Sequence, residues 1–304
     1  MLRSFFIAMS RNKGFREFSE RSAIGRTLSS RFVAGMTVEA ALTAAEELNR
    51  EGMSVSLDAL GESVLDEKQA HKSAAIYHEV MDEIRKRKLK ANVSVKLTQI
   101  GMDLDPEIAQ SILTGMLVHA EEADTFVRID MEGSEYTEAT LQMTERLHKR
   151  WPGRVGTVLQ AYLYRTADDA QRLVEQGIRI RLCKGAYKEP AEIAFPSKQD
   201  VDKNYVNLMI YLATSGVFCG MATHDEAIVD EMRRVVATHR LPKSAFEFQM
   251  LYGIRRDLQR KLVAEGYGVR VYIPFGPEWY PYFMRRLAER PANVLFLAKN
   301  FFKR

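Results

Sequence analysis

Residues 92–131 begin with NVSVKL and end with TFVRIDM, two short β-prone runs on either side of a helical pattern that opens at Asp105-Pro106. Short apolar runs of this length are typical of strands that are buried in a sheet. A strand that is followed by a helix and then by another strand predicts a parallel pair, because the helix returns the chain to the same end of the sheet.

The same alternation continues on both sides of this stretch. Most of the β-prone runs are apolar on consecutive residues, so we expect strands that are buried on both faces. The predicted strands cover residues 53–57, 92–97, 125–131, 157–163, 178–184, 217–223, 245–251 and 269–275. Helical patterns fill the gaps, and Gly177 and Pro291 are expected to end two of them.

Eight strands, each followed by a helix, predict a closed (β/α)8 TIM barrel. An open, doubly wound sheet is the alternative, but the chain has neither G-x-G-x-x-G nor G-x-x-x-x-G-K-[ST]. We expect an N-terminal helical arm over residues 1–50 and the barrel over residues 51–304. The loop at residues 274–277 contains proline and glycine, and it could tip the last helix over the barrel mouth.

The composition is that of a globular protein with a large core: of 304 residues, 46% are hydrophobic and 28% are charged. The net charge is only +4, and the densest basic run, residues 85–88, falls at the end of a predicted helix, where cations suit the helix dipole. A nucleic-acid partner is therefore not expected. No apolar run approaches the roughly 20 residues of a membrane span.

Both ends of the chain mix apolar and basic residues, at 1–18 and at 295–304. They could pack on the domain or lie on a membrane surface. Cys183 and Cys219 lie in apolar runs, which suggests buried thiols in a reducing compartment. A disulfide between them stays open, because their strands could be neighbours.

Charged and polar side chains lie at the predicted strand ends, where barrels place their active sites. Lys96 and Asp130 interrupt apolar runs on consecutive strands, and a buried charge is costly unless it is paired. We therefore expect an ion pair between them at the barrel mouth. Other candidates at the same rim are Glu132, Gln160, Arg181, Lys184, Thr223, His224, Gln249, Leu251 and Tyr272.

The last predicted helix places Tyr282, Arg285, Arg286 and Glu289 on one face. Two guanidinium groups suit a carboxylate, since each fork matches two oxygens. Glu289 could orient either arginine. A solvated basic face is the alternative.

Two other classes of function stay open on the residues alone. A metal-dependent barrel hydrolase could use His224 and Asp130, but His224 is the one histidine of six at a strand end, and H-E-x-x-H is absent. A non-catalytic barrel that binds a carboxylate is the other class.

Eight segments resemble the proline dehydrogenases, and most strongly their stand-alone bacterial form. They are SVKLTQIG (94–101), FVRIDME (126–132), VLQAYLYRT (158–166), RLCKGAYKEP (181–190), ATHD (222–225), FEFQMLYG (246–253), GYGVRVYIPFG (266–276) and WYPYFMRRLAERP (279–291). This family has a distorted (β/α)8 barrel that binds FAD without a Gly-rich dinucleotide turn. Cys183 stands where the family commonly has a small aliphatic residue.

The resemblance implies FAD-dependent oxidation of L-proline to Δ1-pyrroline-5-carboxylate, the first step of proline degradation to glutamate. Electrons would pass to a quinone, and a separate pyrroline-5-carboxylate dehydrogenase would take the product. A cytoplasmic enzyme is expected, with the apolar termini suited to a peripheral contact at the inner face of the membrane. By matched motif, the proline-site residues would be Lys96, Asp130, Leu251, Tyr272, Tyr282, Arg285, Arg286 and Glu289.

A second set of matched residues would bind the cofactor. It comprises Gln160, Arg181, Lys184, Gly185, Ala186, Thr223, His224 and Gln249. Tyr187 is expected to face the pocket as well. The resemblance offers no side chain as the base that deprotonates the amine.

Overall fold

The computed structural model describes residues 31–61, 63–187 and 189–289, and for residues 285–289 it describes the backbone alone. The strands are β1 (Ser54–Ala59), β2 (Ala91–Val95), β3 (Val127–Ile129), β4 (Val155–Gln160), β5 (Arg179–Cys183), β6 (Cys219–Ala222), β7 (Phe246–Leu251) and β8 (Gly268–Phe275). All neighbours are parallel, and β8 pairs with β1 to close the barrel in sequence order. The predicted (β/α)8 barrel is thus confirmed.

Helices surround this barrel. They are α1 (Val38–Arg50), α2 (Glu67–Arg87), α3 (Pro106–Glu122), α4 (Thr137–Arg150), α5 (Thr166–Glu175), α6 (Lys198–Thr214), α7 (Glu226–His239), α8 (Arg256–Ala264) and α9 (Trp279–Glu289). Side-chain caps fix several starts; for example, Asp66 accepts from the backbone N–H of Gln69, and Asp105 accepts from that of Glu107. Gly177 follows α5 with φ +69°, as expected of a helix C-cap.

The strands alternate rather than being apolar on consecutive residues. Val55 and Leu57 of β1 are completely buried, whereas Ser56 between them lies 3.1 Å, oxygen to oxygen, from Ser94 of β2 inside the barrel. The apolar residues pack outward under the helices, and the polar residues point inward and bond to one another. The expected burial of the strands on both faces is confirmed, but many of the inward-facing residues are polar, so the barrel interior is a hydrogen-bonded network.

Strand β4 also ends earlier than predicted. Residues 161–163 leave the barrel, and Leu163 forms an antiparallel bridge with Ala194 in the loop after β5. Tyr164 packs edge-on against Phe195 in the same place, with ring centroids 4.6 Å apart. The apolar run at residues 157–163 extends beyond β4 because its last residues pack against the loop after β5.

The two cysteines are free thiols, although their strands are neighbours. Cys219 pairs in register with Ile180, so Cys183 lies three residues further along β5. The disulfide that the sequence left open is therefore not formed.

The predicted arm at residues 1–50 falls partly outside the described residues, as do both apolar termini. Within the described part, α1 buries Leu42, Ala45 and Leu48 in the main core. No helix in residues 31–289, as far as they are described, is long and apolar enough to cross a lipid bilayer. The division of the chain at residue 50 stays a prediction.

A second apolar cluster covers the barrel mouth and positions α9. Its buried members are Phe32, Val33, Leu60, Ile254, Trp279, Tyr280, Tyr282, Phe283 and Met284. Leu60 and Ile254 belong to the loops after β1 and β7, so α9 packs on the carboxyl ends of strands. The last helix therefore lies over the mouth, as predicted.

The segment before α1 is tied to the same region. Ala34 donates its backbone N–H to Pro274 at 3.0 Å, and Gly276 donates to Gly35 at 2.9 Å. Gly253, with φ +72°, permits the closest approach, because a Cβ there would lie 1.6 Å from the Arg31 carbonyl oxygen.

We expect Gly253→Ala to lower the free energy of unfolding by about 1–3 kcal/mol more than Gly177→Ala, measured by urea denaturation. Both positions have similar left-handed backbone, with φ of +72° and +69°. Both variants thus incur the conformational cost of about 1–2 kcal/mol. Only Gly253 meets a neighbour, since nothing lies within 4 Å of a Cβ at Gly177. Equal losses would show that the Arg31 contact contributes nothing.

Candidate active site

A buried guanidinium lies at the centre of the barrel mouth. Arg181, from β5, donates from Nη1 to Asp130 Oδ1 at 2.8 Å and from Nε to Gln249 Oε1. Its Nη2 reaches the hydroxyls of Ser56 and Ser94, both at 3.2 Å. One side chain thus binds groups that follow or belong to β1, β2, β3 and β7.

Asp130 is held from two sides. Its second oxygen accepts the Tyr272 hydroxyl at 2.7 Å, and the Arg181 guanidinium carbon lies 5.2 Å from the centre of the Tyr272 ring. Burial, followed by the charges of Asp130 and Asp58, raises the pKa of Tyr272 well above its usual range. Tyr272 is therefore a neutral hydrogen-bond donor at any physiological pH.

Lys96 has Asp58 as its carboxylate partner among the described residues. Its Nζ lies 3.1 and 3.2 Å from the two Asp58 oxygens. Lys96 is level with Asp130, one residue beyond the Val95–Ile129 pair, as we expected. The expected ion pair between them was nevertheless wrong, because Arg181 and Tyr272 already occupy both Asp130 oxygens.

Asp58 was missing from the predicted site. It is 1% exposed at the end of β1, and burial raises the pKa of its carboxyl, an effect that Lys96 opposes. The signal that could have revealed it is the one that marked Lys96 and Asp130, a charged residue inside an apolar strand.

Below this layer lies a second set of buried charges. Glu247 accepts from Arg270 Nε at 2.6 Å and from Gln249 Nε2 at 2.7 Å. Gln249 therefore links the two layers, and both ends of its amide are used within the protein. Arg128 is also buried; burial, and then the charge of Arg181, lowers its pKa to about 9.

The residues predicted to hold a cofactor surround the mouth on its β4–β7 side. Gln160 donates from Nε2 to the Glu132 carbonyl at 3.1 Å, while its buried Oε1 has no partner among the described residues. His224 Nε2 accepts from the Leu251 backbone at 2.8 Å, which requires that this nitrogen be unprotonated. The Thr223 hydroxyl accepts from the Asp225 backbone at 3.1 Å.

The loop after β5 carries Lys184, Gly185, Ala186 and Tyr187. Lys184 bridges Asp225 at 3.1 Å and Asp202 at 2.5 Å. Gly185 has φ +109°, and a Cβ there would meet the Tyr162 ring at 2.3 Å, so the loop lies flat against that ring. Tyr187 is 38% exposed at the rim.

Two glutamates fix the loops around the mouth. Glu132 accepts from the Thr98 backbone at 3.1 Å and from its hydroxyl at 2.6 Å. Glu189 binds Ser134 in the same way, at 3.0 and 2.6 Å. Neither partner could be predicted from a local pattern, since both contacts join loops that are distant along the chain.

The predicted carboxylate clamp lies only partly within the described residues. Tyr282 is buried in the apolar cluster over the mouth, whereas for Arg285, Arg286 and Glu289 the structure describes only their helical backbone. Their side-chain roles stay a prediction. Leu251, at the end of β7, packs against the same cluster.

The pair proposed for a metal hydrolase does not converge on a common point. Asp130 has both oxygens bound by Arg181 and Tyr272, and the His224 Nε2 faces a backbone N–H. Within the described ranges, no three histidine, cysteine or acidic side chains group as metal ligands.

Comparison with known proteins places the chain in one sequence family. The family model for proline dehydrogenase matches residues 41–299. Proline dehydrogenase 1 of Bacillus subtilis (strain 168) is 42% identical over 305 residues and is covered completely, as is this chain. Proline dehydrogenase of Deinococcus radiodurans is 41% identical, covering 91% of this chain and 90% of its own length.

Solved structures agree in fold. Proline utilization A (PutA) from Bdellovibrio bacteriovorus, inactivated by N-propargylglycine, superimposes with a TM-score of 0.84 and 25% identity over 99% of this chain. This chain spans 38% of that longer protein. PutA from Bradyrhizobium japonicum, at a TM-score of 0.75 and 23% identity, shares the fold.

We expect Tyr272→Phe to lower the free energy of unfolding by about 1.5–3 kcal/mol, the range for a hydrogen bond to a charged group. The matched control is Tyr136→Phe, which removes a hydroxyl bonded at 2.6 Å to Asp103 in an exposed pair. The control should cost clearly less, because water replaces the lost partner. Equal losses in chemical denaturation would contradict the buried network as a source of stability.

Proposed function

The chain belongs to the proline dehydrogenase family, and from this premise we propose that it oxidises L-proline to Δ1-pyrroline-5-carboxylate with bound FAD. The observation that carries the proposal is the buried, paired charge network of Arg181, Asp130 and Tyr272 at the barrel mouth. Such an arrangement is costly in an apolar core, and it is the kind of preorganised polar site that catalysis uses.

The residues present fit a flavin. The buried Gln160 Oε1 lacks a donor among the described residues, and a ring N–H of the isoalloxazine could supply it. Arg181 uses four of its five N–H groups on the four partners above, which leaves one on Nη1 for the cofactor. The flat loop at Gly185 would let a planar group or a phosphate approach the backbone.

Eight residues would hold the FAD: Gln160, Arg181, Lys184, Gly185, Ala186, Thr223, His224 and Gln249. Gln249 would act through Arg181, which it fixes from below. When bound, the flavin would supply the acceptor for hydride from the ring carbon next to the proline nitrogen. The protein contributes binding, orientation and electrostatics.

The substrate would be held by charge and enclosed by rings. Lys96, Arg285 and Arg286 would bind the proline carboxylate, and Glu289 would orient the arginine pair. Tyr272, Tyr282 and Leu251 would enclose the pyrrolidine ring, with Tyr187 at the rim, while Asp130 keeps Arg181 and Tyr272 in place. Fixing the carboxylate turns binding energy into orientation of the reacting carbon.

We further propose that this oxidation is the first step of proline degradation to glutamate. Electrons would pass to a membrane quinone, and a separate pyrroline-5-carboxylate dehydrogenase would consume the product. The proposed location is cytoplasmic, with a peripheral contact at the inner face of the membrane through the apolar termini, which lie outside the described residues. The modest net charge of +4 supports no nucleic-acid role.

The test is the absorption spectrum of the purified protein before and after anaerobic L-proline. We expect flavin bands that bleach with proline and stay unchanged with cyclopentanecarboxylate, which carries the carboxylate without the amine. Flavin bands that proline does not bleach would leave the cofactor and overturn the substrate. A colourless protein that takes up no FAD would refute the proposal.

The clamp has its own test. We expect Arg285→Met and Arg286→Met each to raise the KM for proline at least about thirtyfold, equivalent to about 2 kcal/mol, with the flavin retained. Arg234→Met is the matched control, because Arg234 is an exposed arginine paired with Glu231 on the outside of α7. Normal saturation by proline in both clamp variants would remove the clamp from the proposal.

A further inference from the structure

Asp58 is a carboxylate that none of the predicted roles uses. It ends the inward face of β1, is 1% exposed, and has Lys96 Nζ within 3.1 and 3.2 Å of its two oxygens. The Lys96 side chain is itself only 12% exposed. The two groups therefore form a nearly water-free ion pair between β1 and the end of β2.

Among the described residues, the charged groups around this pair are Asp130 after β3 and Arg181 of β5. Two tyrosines with raised pKa values, Tyr272 of β8 and Tyr77 of α2, lie beside them. Asp130 is committed to Arg181 and Tyr272, so it does not neutralise Lys96. Burial raises the pKa of Asp58, and the neighbouring Asp130 charge acts in the same direction, while Lys96 opposes both.

A lysine in such a place faces two difficulties. Desolvation favours loss of its proton, and its four-carbon stem has many rotamers, so a bound anion would otherwise have to order it. A carboxylate that contacts the ammonium with both oxygens removes both difficulties, because it favours the charged form and fixes the stem before a ligand arrives.

We propose that Asp58 is a positioning residue for the substrate: it fixes the Lys96 ammonium and keeps it protonated, so that Lys96 presents a standing positive charge to the substrate carboxylate. This inference rests on the proposed function, in which Lys96 binds the carboxylate of proline. Asp58 acts through Lys96 and does not touch the substrate.

The experiment is a double-mutant cycle with Asp58→Asn, Lys96→Met and the double variant, all as FAD-loaded enzyme. We expect D58N to raise the KM for proline about tenfold or more, with kcat at saturating proline changed less than about threefold. In the K96M background, D58N should add less than about twofold, because the group through which it acts is gone.

The pH profile separates this role from a structural one. Without Asp58 the ammonium loses the charge that favours its protonated form, so carboxylate binding should fall as pH rises. The ratio of the D58N to the wild-type KM should therefore increase between about pH 6 and about pH 9. The ratio cancels the titration of proline itself.

The matched control is Asp169→Asn. Asp169 is also a buried carboxylate, 4% exposed, and is bound by Arg165 at 2.7 and 2.9 Å on α5, outside the barrel. The Asp169→Asn variant should be less stable than the wild type, but its KM for proline and the pH dependence of that KM should not change. If D58N retains too little fold to assay, Asp58→Glu keeps the charge, and its KM ratio should stay flat with pH.

Two results would overturn the proposal. The first is that D58N raises the KM for proline by the same factor in the wild-type and K96M backgrounds. The second is that the ratio of the Asp58→Glu KM to the wild-type KM rises with pH as steeply as the ratio for D58N. Binding of tetrahydrofuran-2-carboxylate, which has oxygen in place of the amine, measured by calorimetry on the same variants, needs no turnover. Failure of wild-type protein to bleach with proline would therefore defeat the proposed function, while these binding data would still decide the role of Asp58.

Discussion

The mouth of this barrel depends on one buried contact, the Arg181 guanidinium against the Asp130 carboxylate at 2.8 Å. Removing two charges from water costs several kcal/mol for each ion, and the pair recovers that cost only if its remaining hydrogen-bonding groups are satisfied. Ser56, Ser94, Gln249 and Tyr272 satisfy all of them except one N–H of Arg181, from four further strands. The strands must therefore keep their register, since a shift of one strand would leave a buried charge without one of its hydrogen-bond partners.

This requirement explains why the strands direct polar side chains into the barrel and apolar side chains outward. The apolar residues that usually fill a barrel are here on its outer face, under the helices, and the interior carries hydrogen-bonded polar layers. Gly220 of β6 makes room for this arrangement, because a Cβ there would meet the Gln249 amide nitrogen at 2.2 Å. The fold derives its stability from the shell between strands and helices, which leaves the interior available for chemistry.

The sequence predicted what depends on local pattern. All eight strands, the closing helix, the positions of Lys96 and Asp130 at strand ends and that of Arg181 within β5 followed from periodicity and from charges inside apolar runs. It failed where the outcome depends on competition between distant groups. Lys96 and Asp130 are level, as expected, yet Asp130 bonds to Arg181 and Tyr272 because these reach it from across the barrel. No spacing along the chain encodes that choice, whereas Asp58 carries the same local signal as Lys96 and Asp130, a charged residue inside an apolar strand.

The pairing has a consequence for ligand binding. The ion pairs Arg181–Asp130 and Lys96–Asp58 each have a net charge of zero. The described residues of these pairs therefore attract an anion through polarised pairs and not through net charge. Deeper in the barrel, Arg128 adds one positive charge beyond the Arg270–Glu247 pair, at a depth where two backbone carbonyls already bind it. The proposed carboxylate site would therefore need a further cation, which the proposal assigns to α9. In that proposal, the apolar cluster that ties α9 to residues 32–33 and to the β1 and β7 loops would also set how closely the helix approaches the paired charges below it.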